Sequence, residues 1–308
     1  MHWPSLPVLS EENSVPGLSV ILPYRQDEQR FESTLISLLE NRPPDCEIII
    51  VHDGSYDDPY EIGDEARLVA SSGAGTVRLL NAGVDCASHS VVAVVLDGVE
   101  VQSGWADEAV EEVKRGAECV ALCPSSGTVR SGGIVPVTRA TGKLVVTGGF
   151  DNSLGSSPYA GPSLACGVYS KALLQRIGGW NELLEPESAD LELAWLLQSV
   201  GVACESVRAP VHFPYKRESS KSIALQWAQV CVAYGVTSSG TIAAITGWLG
   251  SVTAGRLSVA GAWASGLFGG TVSRSAIDRL NVAQQALAPQ ADVIPFLPPP
   301  DPSLAKAA

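Results

Sequence analysis

Acidic side chains at the ends of apolar runs are the first sign of chemistry in this chain. Asp27 follows Pro23-Tyr24-Arg25-Gln26, Asp53 opens Asp53-Gly54-Ser55, and Asp97 opens Asp97-Gly98-Val99-Glu100. Carboxylates that converge from separate segments can hold a divalent cation, accept hydrogen bonds from a polar ligand, or take a proton as general base. Arg25, just beyond the first of these runs, suits a phosphate or a carboxylate. Further on stand Glu185, Glu187, Ser188 and Asp190, and then His212 between Val211 and Phe213. Glu187 and Asp190 read equally well as the acidic start of a helix, where the macrodipole favours negative charge. His212, taken alone, reads as a packed histidine, and Gly54 and Gly83 as turn glycines. Lys216, Arg217 and Lys221 form a local basic cluster, either a diphosphate clamp or a solvated loop.

The elements that must position these residues alternate along the first half of the chain. Leu18–Pro23, Glu47–His52, Val91–Leu96 and Cys119–Cys123 are short apolar runs, each bounded by Pro, Gly or Asp, and they predict buried strands. Phe31, Leu35, Leu38 and Leu39 recur at helical spacing behind Asp27 and Glu28, and a second helix is expected around Glu108 to Lys114. Strands that are apolar throughout and separated by helices imply a mostly parallel sheet covered on both faces. Ligands of such sheets gather beyond the strand C-termini, which is where Asp27, Asp53 and Asp97 fall. The second half predicts a Gly/Ser/Pro loop over 148–162 and a helix over 173–177 stopped by Gly178-Gly179. A further helix follows over 191–197 behind the acids, then a strand over 202–207.

Composition limits the partners. With 20 Lys+Arg against 33 Asp+Glu in 308 residues, the formal charge is -13, which argues against a general nucleic-acid binder. A 17% charged, 45% hydrophobic chain has ample material for a packed core. Seven scattered cysteines without a CxxC pair read as reduced core thiols of a cytoplasmic protein. The first residues lack the basic start and apolar core of a signal peptide. The stretch 222–273 is poor in charge but interrupted by Gln226, Gln229, Thr237 and Ser238. It reads as an interfacial or buried helix pair rather than a span, with peripheral contact to the inner face of a membrane as the corresponding expectation. The tail 291–308 is Pro-rich and expected to be disordered.

Taken together, the motifs resemble the family 2 glycosyltransferases of the GT-A fold. Ser19–Pro23 with Asp27 and Thr34-Leu35-x-Ser37-Leu38-Leu39 matches that family's opening strand, acidic turn and first helix. Ile49–Asp53-Gly54-Ser55-x-Asp57 matches its second strand and turn, and Gly75, Asn81, Gly83 and Ala87 match its Gly…Asn-x-Gly…Ala segment. Val95-Leu96-Asp97 with Gly104-Trp105 matches the segment around its metal-binding Asp-x-Asp, and Gly178–Glu182, Glu187-x-x-Asp190-Leu191 and Val211-His212 follow in the family's order. Val99 stands where the second acid of Asp-x-Asp belongs, and Ser188 stands at the usual base position. Leu80 and Ala194 stand where the family often has arginine.

The resemblance implies a GT-A fold with a mostly parallel central sheet and a C-terminal helical extension. It also implies sugar transfer with inversion from a nucleotide-sugar donor to a glycan, lipid or small acceptor. The donor would meet Pro23, Arg25, Asp27, Asp53, Gly54 and Asn81. Mg²⁺ or Mn²⁺ would meet Asp97, Glu100 and His212, and the catalytic turn would comprise Glu187, Ser188 and Asp190. The rival expectation is a catalytically impaired relative that binds sugar nucleotides or scaffolds partners. The expected organisation is an N-terminal extension (1–16), a GT-A-like domain (17–215), a C-terminal helical region (216–290) and the tail (291–308).

Overall fold

Strand β1 (Leu18–Pro23) is buried at all six positions. It pairs in parallel with β2 (Cys46–His52) on one side and β4 (Val91–Val95) on the other. With β3 (Arg67–Ala70), β6 (Cys119–Pro124), β9 (Cys166–Ser170) and β10 (Cys204–Ala209), they form a seven-stranded sheet of order β10-β6-β9-β4-β1-β2-β3. Only β9 runs antiparallel to its neighbours in this sheet, and β7 (Gly133–Ile134) pairs with β8 (Gly161–Pro162) apart from it. The computed structural model describes residues 17–73, 75–125, 132–134, 159–213, 221–234, 257–266 and 270–287. The segment 1–16, most of the 148–162 loop, Lys216, Arg217 and the tail lie outside the described residues.

Alternation along the apolar strands builds two cores. Leu18, Val20 and Leu22 of β1, with Ile48 and Ile50 of β2, face α1 (Glu28–Glu40) and α3 (Asp107–Lys114). Ile21 of β1, Ile49 and Val51 of β2 and Val92 and Val94 of β4 face the opposite layer. That layer is α2 (Thr76–Cys86), α4 (Lys171–Ile177) and α5 (Pro186–Ser199). Period-2 side-chain direction explains why the inner strands β1 and β4 show no exposed face, since each face has its own helices. Each such aliphatic side chain contributes about 1.5–3 kcal/mol on burial. Helix α2 sits so close that a Cβ on Gly83 would lie 2.4 Å from Ile21 Cγ2.

The 222–273 stretch supplies helices. Helix α6 (Lys221–Ala233) buries Ala224, Ala228 and Cys231 beside Ala262 of α7 (Leu257–Gly266). A Cβ on Gly266 would come within 2.5 Å of Ala228 Cβ, so the two helices meet on small residues. Among the described residues, no helix is long and apolar enough to cross a membrane. Helix α8 (Thr271–Leu287) completes the layer, with Val272, Ala276 and Ala283 buried. All seven cysteines are free thiols, five of them buried.

A buried ion pair ties α8 to α5. Glu192 is fully buried and meets Arg279 Nε at 3.2 Å, and Tyr234 donates its hydroxyl to the same oxygen at 2.9 Å. The Arg279 guanidinium also donates to the carbonyls of Ile177, Gly178 and Gly179, closing the C-terminus of α4. Removing the cation would leave an uncompensated buried carboxylate. Arg279→Met is therefore expected to lower stability to urea by about 3–5 kcal/mol, with most of that recovered by adding Glu192→Met. A loss in the single variant no larger than that of an exposed ion pair would show the pair to be dispensable.

At the N-terminal edge of the sheet, Glu47 gathers neighbouring strand starts. Its carboxylate accepts from Ser19 Oγ (2.5 Å), Ser88 N (2.6 Å) and Ser88 Oγ (3.3 Å). Burial alone would push this carboxyl up, but the donors of Ser19 and Ser88 outweigh it and hold the group below its ordinary value. A depressed folded value contributes stability above the unfolded value, and that stability is lost as pH falls through the folded one. Glu47→Gln should therefore be about 1 kcal/mol less stable at neutral pH. The gap to the parent should close as pH drops below 4.5 in melting experiments; a gap that stays constant would contradict this account.

Candidate active site

The turns after β1, β2 and β4 leave the sheet side by side, because these strands are parallel neighbours in the order β4-β1-β2. An aromatic group binds the first two turns together. Tyr24 lies 5.0 Å from both Phe31 and Tyr56, Phe31 lies 5.4 Å from Tyr56, and His52 closes the group at 5.9 Å from Tyr56. Tyr24 N also donates to Val51 O at 2.8 Å. Burial pushes the Tyr56 phenol up to about 12, so it stays protonated at neutral pH.

Within this frame Asp27 is the N-cap of α1. It accepts from Arg30 N at 3.2 Å and pairs with Arg30 Nε at 3.3 Å, while nearly half its side chain stays exposed. Asp53 forms an Asx turn, accepting from Ser55 N at 3.1 Å and Ser55 Oγ at 2.6 Å. Those bonds hold its exposed carboxyl below the ordinary aspartate value. Gly54 follows with φ 95°, a conformation in which glycine carries no steric penalty. Pro23 ends β1, and Arg25 projects beyond it.

The Asp97 turn is held from α1. Gly98 N donates to Thr34 Oγ1 at 2.8 Å and to Arg30 O at 3.2 Å. Val101 N donates to Ser37 Oγ, and Asn41 Nδ2 donates to Val101 O, each at 3.2 Å. This polar stripe on α1 fixes the loop that carries Asp97. The Asp97 side chain is 5% exposed and receives Arg25 Nη1 at 3.0 Å. Burial pushes its carboxyl above the ordinary value, although the Arg25 guanidinium pulls the other way.

Glu100 and His212 take a different position. Both are exposed, and they face each other across the antiparallel pair β5 (Glu100–Val101) and β11 (Val211–His212). Directly opposed residues bring their Cβ atoms within about 5 Å. Asp97, turned inward to Arg25, is not part of that pair. Among the described residues, no three of His, Cys, Asp and Glu gather to hold a metal ion.

The turn expected to be catalytic opens α5. Glu185 is its N-cap, Pro186 its first residue, and Glu187 is half-buried. Ser188 is completely buried, and its hydroxyl has no hydrogen-bond partner among the described residues; Asp190 is 4% exposed. Helix α6 grips this helix start. Glu185 N donates to Gln226 Oε1 at 3.0 Å, Trp227 Nε1 donates to Glu187 O at 3.1 Å, and Ser222 donates to the Glu185 carboxylate.

Comparison with known proteins fits this geometry. The family model described as glycosyl transferase family 2 matches residues 19–177, more than half of the chain. The chain belongs to glycosyl transferase family 2. Among solved structures, S. aureus TarS 1-349 is 14% identical with a TM-score of 0.50, the likeness covering 88% of this chain and 90% of that one. A longer S. aureus TarS chain is 16% identical at a TM-score of 0.47, over 70% of this chain and 39% of that one. Mannosyltransferase PcManGT from Pyrobaculum calidifontis, solved in complex with GDP-Man and Mn²⁺, is 16% identical at 0.48, over 89% and 86%. At these identities the likeness concerns fold rather than chemistry. No curated relative matches the chain in sequence.

As a family 2 site, the rim departs from its expected metal set for a traceable reason. Gly98, at φ 90°, reverses the chain after Asp97, and Glu100 then starts β5, where it pairs with His212 rather than returning toward Asp97. The described residues present do not fit a resident Mg²⁺ or Mn²⁺: Asp97 is occupied by a guanidinium, and Val99, in place of a second acid, is a buried apolar side chain. Spacing along the sequence could not find the Arg25–Asp97 pair or the Tyr24–Phe31–Tyr56 group. Both join turns that meet only once the strands are aligned.

Asn81, expected at the donor, has its amide engaged elsewhere. Its Nδ2 donates to Trp180 O at 2.9 Å and Glu182 Oε1 at 3.2 Å, and its Oδ1 accepts from Trp180 N at 2.9 Å. Asn81→Ala is expected to cost about 1–3 kcal/mol of stability by orphaning the Trp180 backbone, with nucleoside diphosphate affinity unchanged in calorimetry. A selective loss of affinity would instead put the amide on the ligand.

Proposed function

We propose that this family 2 chain transfers a sugar, with inversion, from a nucleoside diphosphate sugar to a hydroxyl of a glycan, lipid or small acceptor. The observation that carries this reading is the adjacency of three polar turns, Tyr24–Asp27, Asp53–Ser55 and Asp97–Gly98, at the C-terminal rim of one parallel sheet. Asp27 and Asp53 retain exposed carboxylate oxygens suited to nucleoside hydroxyl and amino groups. Pro23 and Gly54 shape the two turns for close approach, and Arg25 faces the negative charge of the diphosphate. The donor reading does not depend on a divalent cation. The free thiols support the cytoplasm as the compartment.

Inversion calls for a single displacement. The acceptor oxygen bonds to the anomeric carbon as the bond from that carbon to the diphosphate oxygen breaks, the leaving group keeping the electron pair. A carboxylate takes the acceptor's proton on the opposite side. Ser188 is buried and its hydroxyl has no hydrogen-bond partner among the described residues, and the carboxylate of Glu185 already accepts from Ser222. Glu187, half-buried on that turn and with its carbonyl accepting from the Trp227 indole, is the carboxylate we assign as base. Asp190 lies deeper in the same helix, 4% exposed.

Turnover can be measured with a panel of UDP-, GDP- and dTDP-sugars. With the donor that is consumed, Glu187→Gln should lower kcat by about 10²–10⁴ while leaving donor affinity intact. An unchanged kcat would exclude Glu187 as base.

A further inference from the structure

The Arg25–Asp97 pair has an arrangement that a purely structural ion pair does not require. It lies where β1 and β4 end side by side, at the rim where a parallel sheet receives ligands. The aspartate side chain is 5% exposed, and the arginine side chain 26% exposed. The anion is thus the buried partner and the cation is the one that reaches out. Arginine carries five N–H donors in a planar fork. Among the described residues, this one makes a single hydrogen bond, from Nη1 to Asp97 Oδ1. The donors left over match the paired oxygens of a phosphate group.

Among the described residues, no acidic cluster supplies that phosphate with a metal cation. A divalent ion of the Mg²⁺ kind needs several oxygen ligands around one point. Asp97 has Oδ1 committed to Arg25, Val99 supplies none, and Glu100 with His212 lies on the β5–β11 pair. We propose that Arg25, anchored by Asp97, is itself the cation of the donor site, so that the diphosphate of the donor binds without a divalent metal ion. Asp97 is then a positioning residue: it holds the fork in place rather than touching the ligand. This inference rests on the donor reading above and adds the means by which the diphosphate charge is met.

The test is calorimetry of the full chain with UDP, GDP and dTDP, and with the matching nucleosides, in EDTA and in excess Mn²⁺. One of the diphosphates should bind in EDTA, with affinity little changed by Mn²⁺. Arg25→Gln should weaken that diphosphate by about tenfold or more while leaving the nucleoside's affinity unchanged, a selectivity that general loosening of the rim would not produce. Arg25→Lys, which keeps the charge but loses the fork, should fall between the two and serves if Arg25→Gln fails to fold. Diphosphate binding that requires Mn²⁺ would overturn this inference and leave the donor reading standing. Diphosphate affinity unaffected by the Arg25 variants would do the same. Absence of binding in both conditions would remove both.

Discussion

Burial of one parallel sheet on both faces is the constraint from which the rest follows. Each strand interior must satisfy its backbone by laddering and its side chains by packing, so the polar residues of β1 and β2, Ser19, Glu47 and His52, sit within one position of a strand end, and β4 carries none. Chemistry is thereby expelled to the strand termini. Because β1, β2, β3 and β4 run in the same direction, their polar turns collect at one rim. The N-terminal edge, where Glu47 collects Ser19 and Ser88, is by contrast a stability device.

The rim is set by contacts one step removed from any ligand. Thr34, Ser37 and Asn41 look like indifferent polar residues of an amphipathic helix. In the fold they form the bracket that holds residues 98–101, and so they decide where Asp97 sits. The aromatic group of Tyr24, Phe31 and Tyr56 does the same for the turns after β1 and β2. Such supports matter because a misplaced reacting group loses much of the benefit of orientation.

The C-terminal helices belong to the same structural argument. Helix α6 reaches the start of α5 through Gln226, Trp227 and Ser222, and α8 reaches its middle through Arg279 and Glu192. The helix that bears Glu187 is therefore clamped at two heights, at its start by the segment whose low charge first suggested lipid and at its middle by Arg279 beyond that segment. Among its described residues, Ala228 and Gly266 serve helix–helix approach.

Much of the architecture was legible in local pattern. Continuous β-branched runs announced doubly covered strands, Asp-Gly turns marked their ends, and the motif order pointed to glycosyl transferase family 2. The polar turns themselves were also visible, since a residue type at a strand end is a local property. Weaker signals failed: α2 has a glycine N-cap and no side-chain cap, and β9 runs antiparallel because of its neighbours rather than its composition. Partnership was not legible at all. Arg25 meets Asp97 across 72 positions, Asn81 meets Trp180 across 99, and Glu192 meets Arg279 across 87. Periodicity along a chain encodes which face of an element is apolar, so the sequence alone determined the layers and the rim. Hydrogen bonds and ion pairs depend on register, crossover and a few tenths of an ångström, so only the tertiary structure decided that a guanidinium occupies the carboxylate expected to hold a metal ion.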